Sequence, residues 1–309
     1  MSRAFDSAAL GSDIARSRKQ YWARRVARMV VGAFGLNRPG LISTEIVQAI
    51  APVSTIVTPH GPLLSVAGHG RLVWRAQSFY EEEPETVSWL DSLTERDVLW
   101  DIGANVGLYA LYAAKFRRCR TIAFEPESQN FALLVQNVSL NAVAERCMPV
   151  NVAVSEHTGL GTLRVRYLTK GGAYNLFCDG ARDKGSDLPE SVRAAESYQA
   201  FDGFHQGVFG CSVDDLVLKY GLPVPTHMKI DVDGIEPRII AGAIETIKSP
   251  TLKSVVIELN AKSKEDMTVP EIMGRYGFQL VSQRSNWDSR ADKTRASDLP
   301  ADNMIFSRP

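Results

Sequence analysis

At 309 residues and 45% hydrophobic, the chain can bury a full core in one large domain or two smaller ones. Lys plus Arg and Asp plus Glu each number 35, so the net charge is zero, which argues against nucleic acid or an acidic membrane as a partner drawn in by a global field. The 4 cysteines, Cys119, Cys147, Cys178 and Cys211, show no CxxC spacing, and no leader or spanning segment is read ahead of the fold, so a reducing, cytoplasmic setting is expected.

In chain order, Ala15 to Leu36 mixes Arg and Lys with apolar residues at helical spacing and stops at Asn37-Arg38-Pro39-Gly40, which predicts a basic amphipathic helix. Packing on the main domain or on a second subunit, as in a homo-oligomer, is the favoured role. Peripheral membrane contact is the weaker alternative, suggested by Trp22, Met29 and Phe34 beside the basic residues. Residues 54–68 and 71–79 read as short strands joined by turns at His60-Gly61-Pro62 and Gly68-His69-Gly70. Residues 1–80 are therefore taken as an extension and 81–309 as the main domain. In that domain short apolar runs alternate with longer helical patterns, the signature of an α/β fold with a parallel sheet.

The stretch VLWDIGANVGLYAL, from Val98 to Leu111, reads as a buried strand ending at Asp101, a bend with Gly103, Asn105 and Gly107, and a helix. The first strand-to-helix turn of an open α/β sheet is a ligand site, and the helix start offers free N–H groups to an anion. A dinucleotide turn reads GxGxxG; here a carboxylate stands in front and Asn in the middle. Asp101 repels a pyrophosphate and attracts an ammonium, so the amino-acid end of S-adenosylmethionine, which carries both an ammonium and a carboxylate, fits better. The next strand ends at Glu125, roughly 20 residues after the turn, where an acid takes a ribose hydroxyl pair.

The ordered set EEEPETVSWLD, DIGANVGLYAL, FEPE, VNVAVSEHTG, CSVDDL and HMKIDVDGIEPRIIAGA resembles the FkbM-type S-adenosylmethionine-dependent methyltransferases, over roughly Glu81 to Asn260. The resemblance implies a class I methyltransferase fold, a Rossmann-like, mostly parallel sheet of seven strands with the last antiparallel and helices on both faces. It implies O-methylation of a sugar, glycolipid or secondary metabolite. It also implies that Asp101, Gly103, Asn105 and Gly107 line the methionine end of the cofactor, that Glu125 binds the ribose, and that Ala153 and Val154 at the end of the third strand lie near the adenine. Thr86 would approach the cofactor carboxylate, though it also reads as part of a helix start.

The stretch MKIDVDGIE puts Met228 and Ile230 in a strand, Asp231 at its carboxyl end, Asp233 in the turn where the family commonly has Glu, and Glu236 just before Pro237. Methyl transfer needs alignment, and an alcohol nucleophile also needs a proton acceptor. Asp231 and Glu236 are the candidates for substrate positioning or general base, with Lys229 orienting them. Glu236 also reads as a helix cap. An all-oxygen Mg²⁺ site from Asp231, Glu258 and Asn260 is a less favoured option, and no metal ligand is assigned. Residues 167–210 read as a loop that covers the pocket and selects the acceptor, with His205 a weak candidate base. A nicotinamide-dependent oxidoreductase is the competing class and lacks its glycine motif here; N-methylation or a macromolecular acceptor stays open.

Overall fold

The computed structural model describes residues 52–166, 168–173, 175–179, 204–232, 234–285 and 302–309, with single positions at 25, 26, 29 and 32. Arg25, Val26, Met29 and Gly32 are helical; the rest of the expected basic helix, and with it the expected oligomer or membrane contact, lies outside the described residues, as does Asp233. Among the described residues no helix is long and apolar enough to cross a membrane.

The chain divides into two compact units, Met1–Pro52 and Val53–Pro309. The second opens with a hairpin of β1 (Val53–Thr58) and β2 (Gly61–Val66), followed by α1 (Gly70–Gln77), α2 (Phe79–Glu82) and α3 (Pro84–Asp91). Residues 71–79, expected as a strand, are thus mostly helix. Leu72, Ala76 and Phe79 form the buried stripe of a 3.6-residue period while Trp74 faces out, and the His69 ring accepts from Arg71 N at 3.3 Å to cap the first turn.

The alternating part supplies β3 (Val98–Ile102), α4 (Leu108–Tyr112) with a π turn at Ala113–Arg117, β4 (Arg120–Phe124), α5 (Ser128–Leu140) and β5 (Cys147–Val150). Then come β6 (Ala153–Val154), β7 (Gly159–Val165), β8 (Leu176–Cys178), β9 (Phe204–Cys211) and α6 (Val213–Leu218). The chain closes with β10 (His227–Ile230), α7 (Glu236–Ala241), α8 (Ile244–Lys248), β11 (Ser254–Leu259), α9 (Thr268–Arg275), β12 (Gln279–Ser285) and β13 (Asp302–Ser307).

Seven strands form the main sheet in the order β5-β4-β3-β10-β11-β13-β12. β13 runs antiparallel to both neighbours and every other pairing is parallel. This is the class I methyltransferase arrangement. Strand alternation sorts the core into two layers: Trp100, Ile102, Met228 and Ile230 face one, and Leu99, Ala123, Val256 and Ile305 face the other against α3, α4 and α5.

Part of the segment expected as a covering loop is a second sheet, ordered β6-β9-β7-β8; residues 180–203 lie outside the description. Ala153 and Val154 belong to this second sheet, pairing with Gly210 and Cys211, and are not the end of the third main-sheet strand. Between β5 and β6 the chain breaks at Asn151, whose Nδ2 donates to the Glu125 and Pro126 carbonyls at 2.8 and 3.1 Å.

Candidate active site

The strand order changes direction between β3 and β10, and the carboxyl ends of those strands open the crevice where an α/β sheet binds ligands. Register sets Lys229 beside Asp101, so one base and one acid enter the same otherwise apolar layer. Asp101 is buried. Its Oδ2 accepts from Ala110 N at 3.1 Å, while Oδ1 meets no hydrogen-bond partner among the described residues. Burial pushes the carboxyl up to about 6, with Asp231 and Glu83 adding to the rise and Lys229 and the Ala110 amide opposing it.

Lys229 is 2% exposed. Its Nζ lies 2.7 Å from Asp231 Oδ2 and 3.9 Å from Glu83 Oε2, and 5.0 Å above the Tyr109 ring. Burial alone would lower it, but the surrounding Asp231, Glu83 and Asp101 carboxylates hold it protonated above its ordinary range. Burial works to raise Asp231, yet the Lys229 charge and hydrogen bonds from Lys229 and Glu258 hold it below the usual carboxylate value.

The bend after β3 is built on backbone that only certain residues adopt easily. Gly103 has φ +85° and Gly107 φ +87°. A Cβ at Gly103 would collide with the Asp231 carbonyl, and one at Gly107 with the Leu134 side chain. Asn105, at φ 51°, donates its N–H to Glu125 Oε2 at 2.8 Å, and Glu127 N donates to Oε1 at 2.8 Å. Two backbone amides therefore present the Glu125 carboxylate at the edge of β4. The Asn105 side chain donates to Gly172 O at 2.7 Å, leaving its Oδ1 buried without a partner among the described residues.

Thr86 sits in the first turn of α3, fully buried, with Oγ1 unpartnered among the described residues. Glu83, not Thr86, occupies the cap position of that helix. Ala153 and Val154 line a small apolar cleft with Ile102, Phe124, Phe177 and Val232.

Glu236 is 2% exposed. Its Oε1 accepts from Val232 N at 3.1 Å and Gly234 N at 3.2 Å, so it folds back on the turn after β10, and burial pushes it up to about 8. Glu258 reaches Asp231, but Asn260 is turned into its own loop, where Oδ1 accepts from Lys262 N at 2.9 Å. No group of three or more His, Cys, Asp or Glu side chains among the described residues is arranged to hold a metal. His205 is exposed on β9, in register with Arg164.

The fold thus brings Thr86, Asp101, Lys229 and Asp231 together. It adds Glu83 and Tyr109, which the sequence reading did not single out. The only local signal for Glu83 is its place as the acid ahead of Pro84 at a helix start.

The Methyltransferase FkbM domain profile matches residues 101–280. Hexuronic acid methyltransferase AglP of Haloferax volcanii is 22% identical over 189 residues, which span 61% of this chain and 66% of that protein. The 31-O-demethyl-FK506 methyltransferase FkbM of Streptomyces tacrolimicus is 25% identical over 244 residues, 75% of this chain and 91% of the relative. The crystal structure of a methyltransferase FkbM from Methylobacillus flagellatus superposes at a TM-score of 0.42 with 16% identity, over 76% of this chain and 54% of that one. With the profile covering more than half of its length, the chain belongs to the FkbM methyltransferase family.

Proposed function

We propose that this methyltransferase draws its methyl group from S-adenosylmethionine and places it on a hydroxyl oxygen of a sugar, glycolipid or secondary metabolite. The observation that carries the reading is the set of polar atoms around the carboxyl end of β3: Asp101 Oδ1, Thr86 Oγ1 and Asn105 Oδ1 are buried without a hydrogen-bond partner at ordinary distance among the described residues. Such groups cost about 1–3 kcal/mol each unless something meets them. Their chemistry fits the cofactor. Asp101 suits its ammonium, the Thr86 hydroxyl suits its carboxylate, Glu125 suits its ribose diol, and the apolar cleft at Ala153 and Val154 suits its adenine.

When bound, that cofactor supplies an electrophilic methyl on a sulfonium. The chain supplies alignment. Gly103 lets the turn lie directly against the end of β10, and Lys229 fixes the Asp231 carboxylate beside it as a positioning group for the acceptor. The hydroxyl acceptor is supported by the names of two relatives, one a hexuronic acid methyltransferase and one a 31-O-demethyl-FK506 methyltransferase. Zero net charge favours a small or glycan acceptor over nucleic acid.

Calorimetric titration with S-adenosylmethionine, S-adenosylhomocysteine and NAD tests the cofactor. The first two are expected to bind and NAD not. Affinity for S-adenosylmethionine should fall about tenfold per pH unit below about 6, as Asp101 takes up a proton. Asp101→Asn should bind at least ~10-fold more weakly and lose that pH dependence. A wild-type protein that binds neither adenosyl compound refutes the reading.

A further inference from the structure

Around the carboxyl end of β10, Asp231, Glu236 and Glu83 offer carboxylates for the acceptor's proton, and geometry separates them. Asp231 is held in a 2.7 Å ion pair with Lys229, and a carboxylate that satisfied is a weak base. Glu236 is spent on the Val232 and Gly234 amides and lies inside its own turn, out of an acceptor's reach. Glu83 is different in each respect.

Glu83 stands at the cap of α3 with φ −132° and ψ 63°, just ahead of Pro84. Its side chain keeps 16% of its surface open, enough to touch a ligand. Its Oε2 is itself buried and meets no donor at hydrogen-bond distance among the described residues; the Thr86 and Tyr109 hydroxyls face the carboxylate, and Lys229 Nζ is 3.9 Å from Oε2, too long for a hydrogen bond. The same Lys229 joins Glu83 to Asp231, and Tyr109 lies beneath that cation. Thr86, in the first turn of the helix that Glu83 caps, turns its hydroxyl toward this carboxylate.

We propose that Glu83 is the catalytic base that takes the acceptor's proton, a role that rests on the hydroxyl reading above. As the acceptor O–H bond breaks, its proton passes to Glu83 Oε2. The oxygen forms a bond to the methyl carbon, and the carbon–sulfur bond breaks with its electron pair left on sulfur. The positive charge of the sulfonium is discharged and Glu83 ends neutral, so charge and atoms balance. Lys229 offsets the negative charge that Glu83 carries beforehand. Burial raises the affinity of Glu83 for a proton above that of an ordinary glutamate, Lys229 and the Thr86 hydroxyl working against it and Asp231 and Glu85 with it, which suits a group that must accept one.

The full chain is compared with its Glu83→Gln and Glu83→Asp variants. Binding of S-adenosylhomocysteine is followed by calorimetry, and single-turnover transfer from S-adenosylmethionine to a panel of hexoses, hexuronic acids and polyhydroxylated metabolites is followed from about pH 5 to 9. Glu83→Gln is expected to bind S-adenosylhomocysteine within about threefold of wild type while transfer falls roughly 10²–10⁴-fold and loses its acidic limb. Glu83→Asp should bind equally well and recover part of the rate. Undiminished transfer by Glu83→Gln, or loss of S-adenosylhomocysteine binding in step with the rate, overturns the assignment. A wild type that binds S-adenosylhomocysteine yet methylates no hydroxyl overturns the acceptor class and the role of Glu83 with it. One that does not bind fails earlier, at the cofactor.

Discussion

Gly103 meets two demands at once: a φ of +85° and room for the Asp231 carbonyl where a side chain would stand. Gly277 also has a positive φ, +84°, but nothing among the described residues lies within 4 Å of where its Cβ would be. The pair separates strain from contact. Gly277→Ala should cost only the backbone term, about 1–3 kcal/mol, whereas Gly103→Ala should cost more in urea unfolding and should also abolish S-adenosylhomocysteine binding. Equal losses in the two variants would show that the close approach to β10 contributes nothing. Asp101, Gly103, Gly107 and Glu125 were legible in the sequence because strand ends, turns and strand spacing are local patterns. Glu83 was not, since its meaning depends on a lysine 146 positions further along, and no local period links the two. Glu236 misleads for a related reason: its spacing from β10 reads as reach toward substrate, while the folded turn uses it internally.

At the scale of elements, α5 and its C-cap carry three buried asparagines, Asn130 and Asn137 in the helix and Asn141 at the cap. Each clamps the backbone of a neighbour. Asn130 accepts from Gly171 N at 2.9 Å and donates to Gly172 O at 3.0 Å. Asn137 accepts from Val66 N at 2.8 Å and donates to Val106 O at 2.9 Å, and Asn141 pairs with both backbone groups of Leu64 at 3.0 and 2.7 Å. The Asn137 and Asn141 amides stand where a third strand would pair with the open edge of β2, so the hairpin docks on the domain without one. Asn137→Leu keeps the volume close to constant but strands a buried N–H and a buried carbonyl, so a loss of about 2–4 kcal/mol is expected. A loss under about 1 kcal/mol in urea unfolding would mean that water or relaxed backbone meets those groups. The parallel strands were readable from the apolar runs that burial on both faces requires. The helix at Gly70–Gln77 was missed because its short apolar run with Val73 and Trp74 also fits a strand. The strands β7 to β9 were hidden by glycines at 161, 207 and 210, which Phe177 packs against at two of the three; in sequence, glycines of that density read as loop.

Across the whole molecule the two edges of the main sheet carry charge of different purpose. The amino edge holds Asp97, whose Oδ1 lies 3.3 Å from His227 Nε2, and His227 Nδ1 lies 2.7 Å from Ser254 Oγ. The composition is that of a hydrolase triad, but Trp89 Nε1 donates to the same Ser254 Oγ at 2.8 Å and all four side chains are buried, so the set ties α3 to the strand ends. Burial lowers His227, against the pull of Asp97. The folded protein therefore binds fewer protons there than the unfolded chain, and that stability, complete above about 6.5, is lost as pH falls below it toward the lowered folded value. At the carboxyl edge the sign reverses. Burial lifts Asp101 to about 6 and Glu236 to about 8, so the folded state binds more protons than the unfolded and stability declines as pH rises from the ordinary carboxylate range to those values. Between about pH 6.5 and 8 the His227 and Asp101 contributions are nearly spent, and Glu236, with Glu83 adding the same sign, sets the slope. Wild type should lose up to about 1.4 kcal/mol of unfolding free energy per pH unit in that window from Glu236 alone. Glu236→Gln retains the carbonyl oxygen that accepts from Val232 and Gly234 but has no proton to lose, so its unfolding free energy should be much flatter there and should exceed that of wild type most at pH 8. Parallel curves for the two proteins in urea unfolding across the window would show that Glu236 enters the folded state already ionised, stabilised by the two turn amides despite its burial.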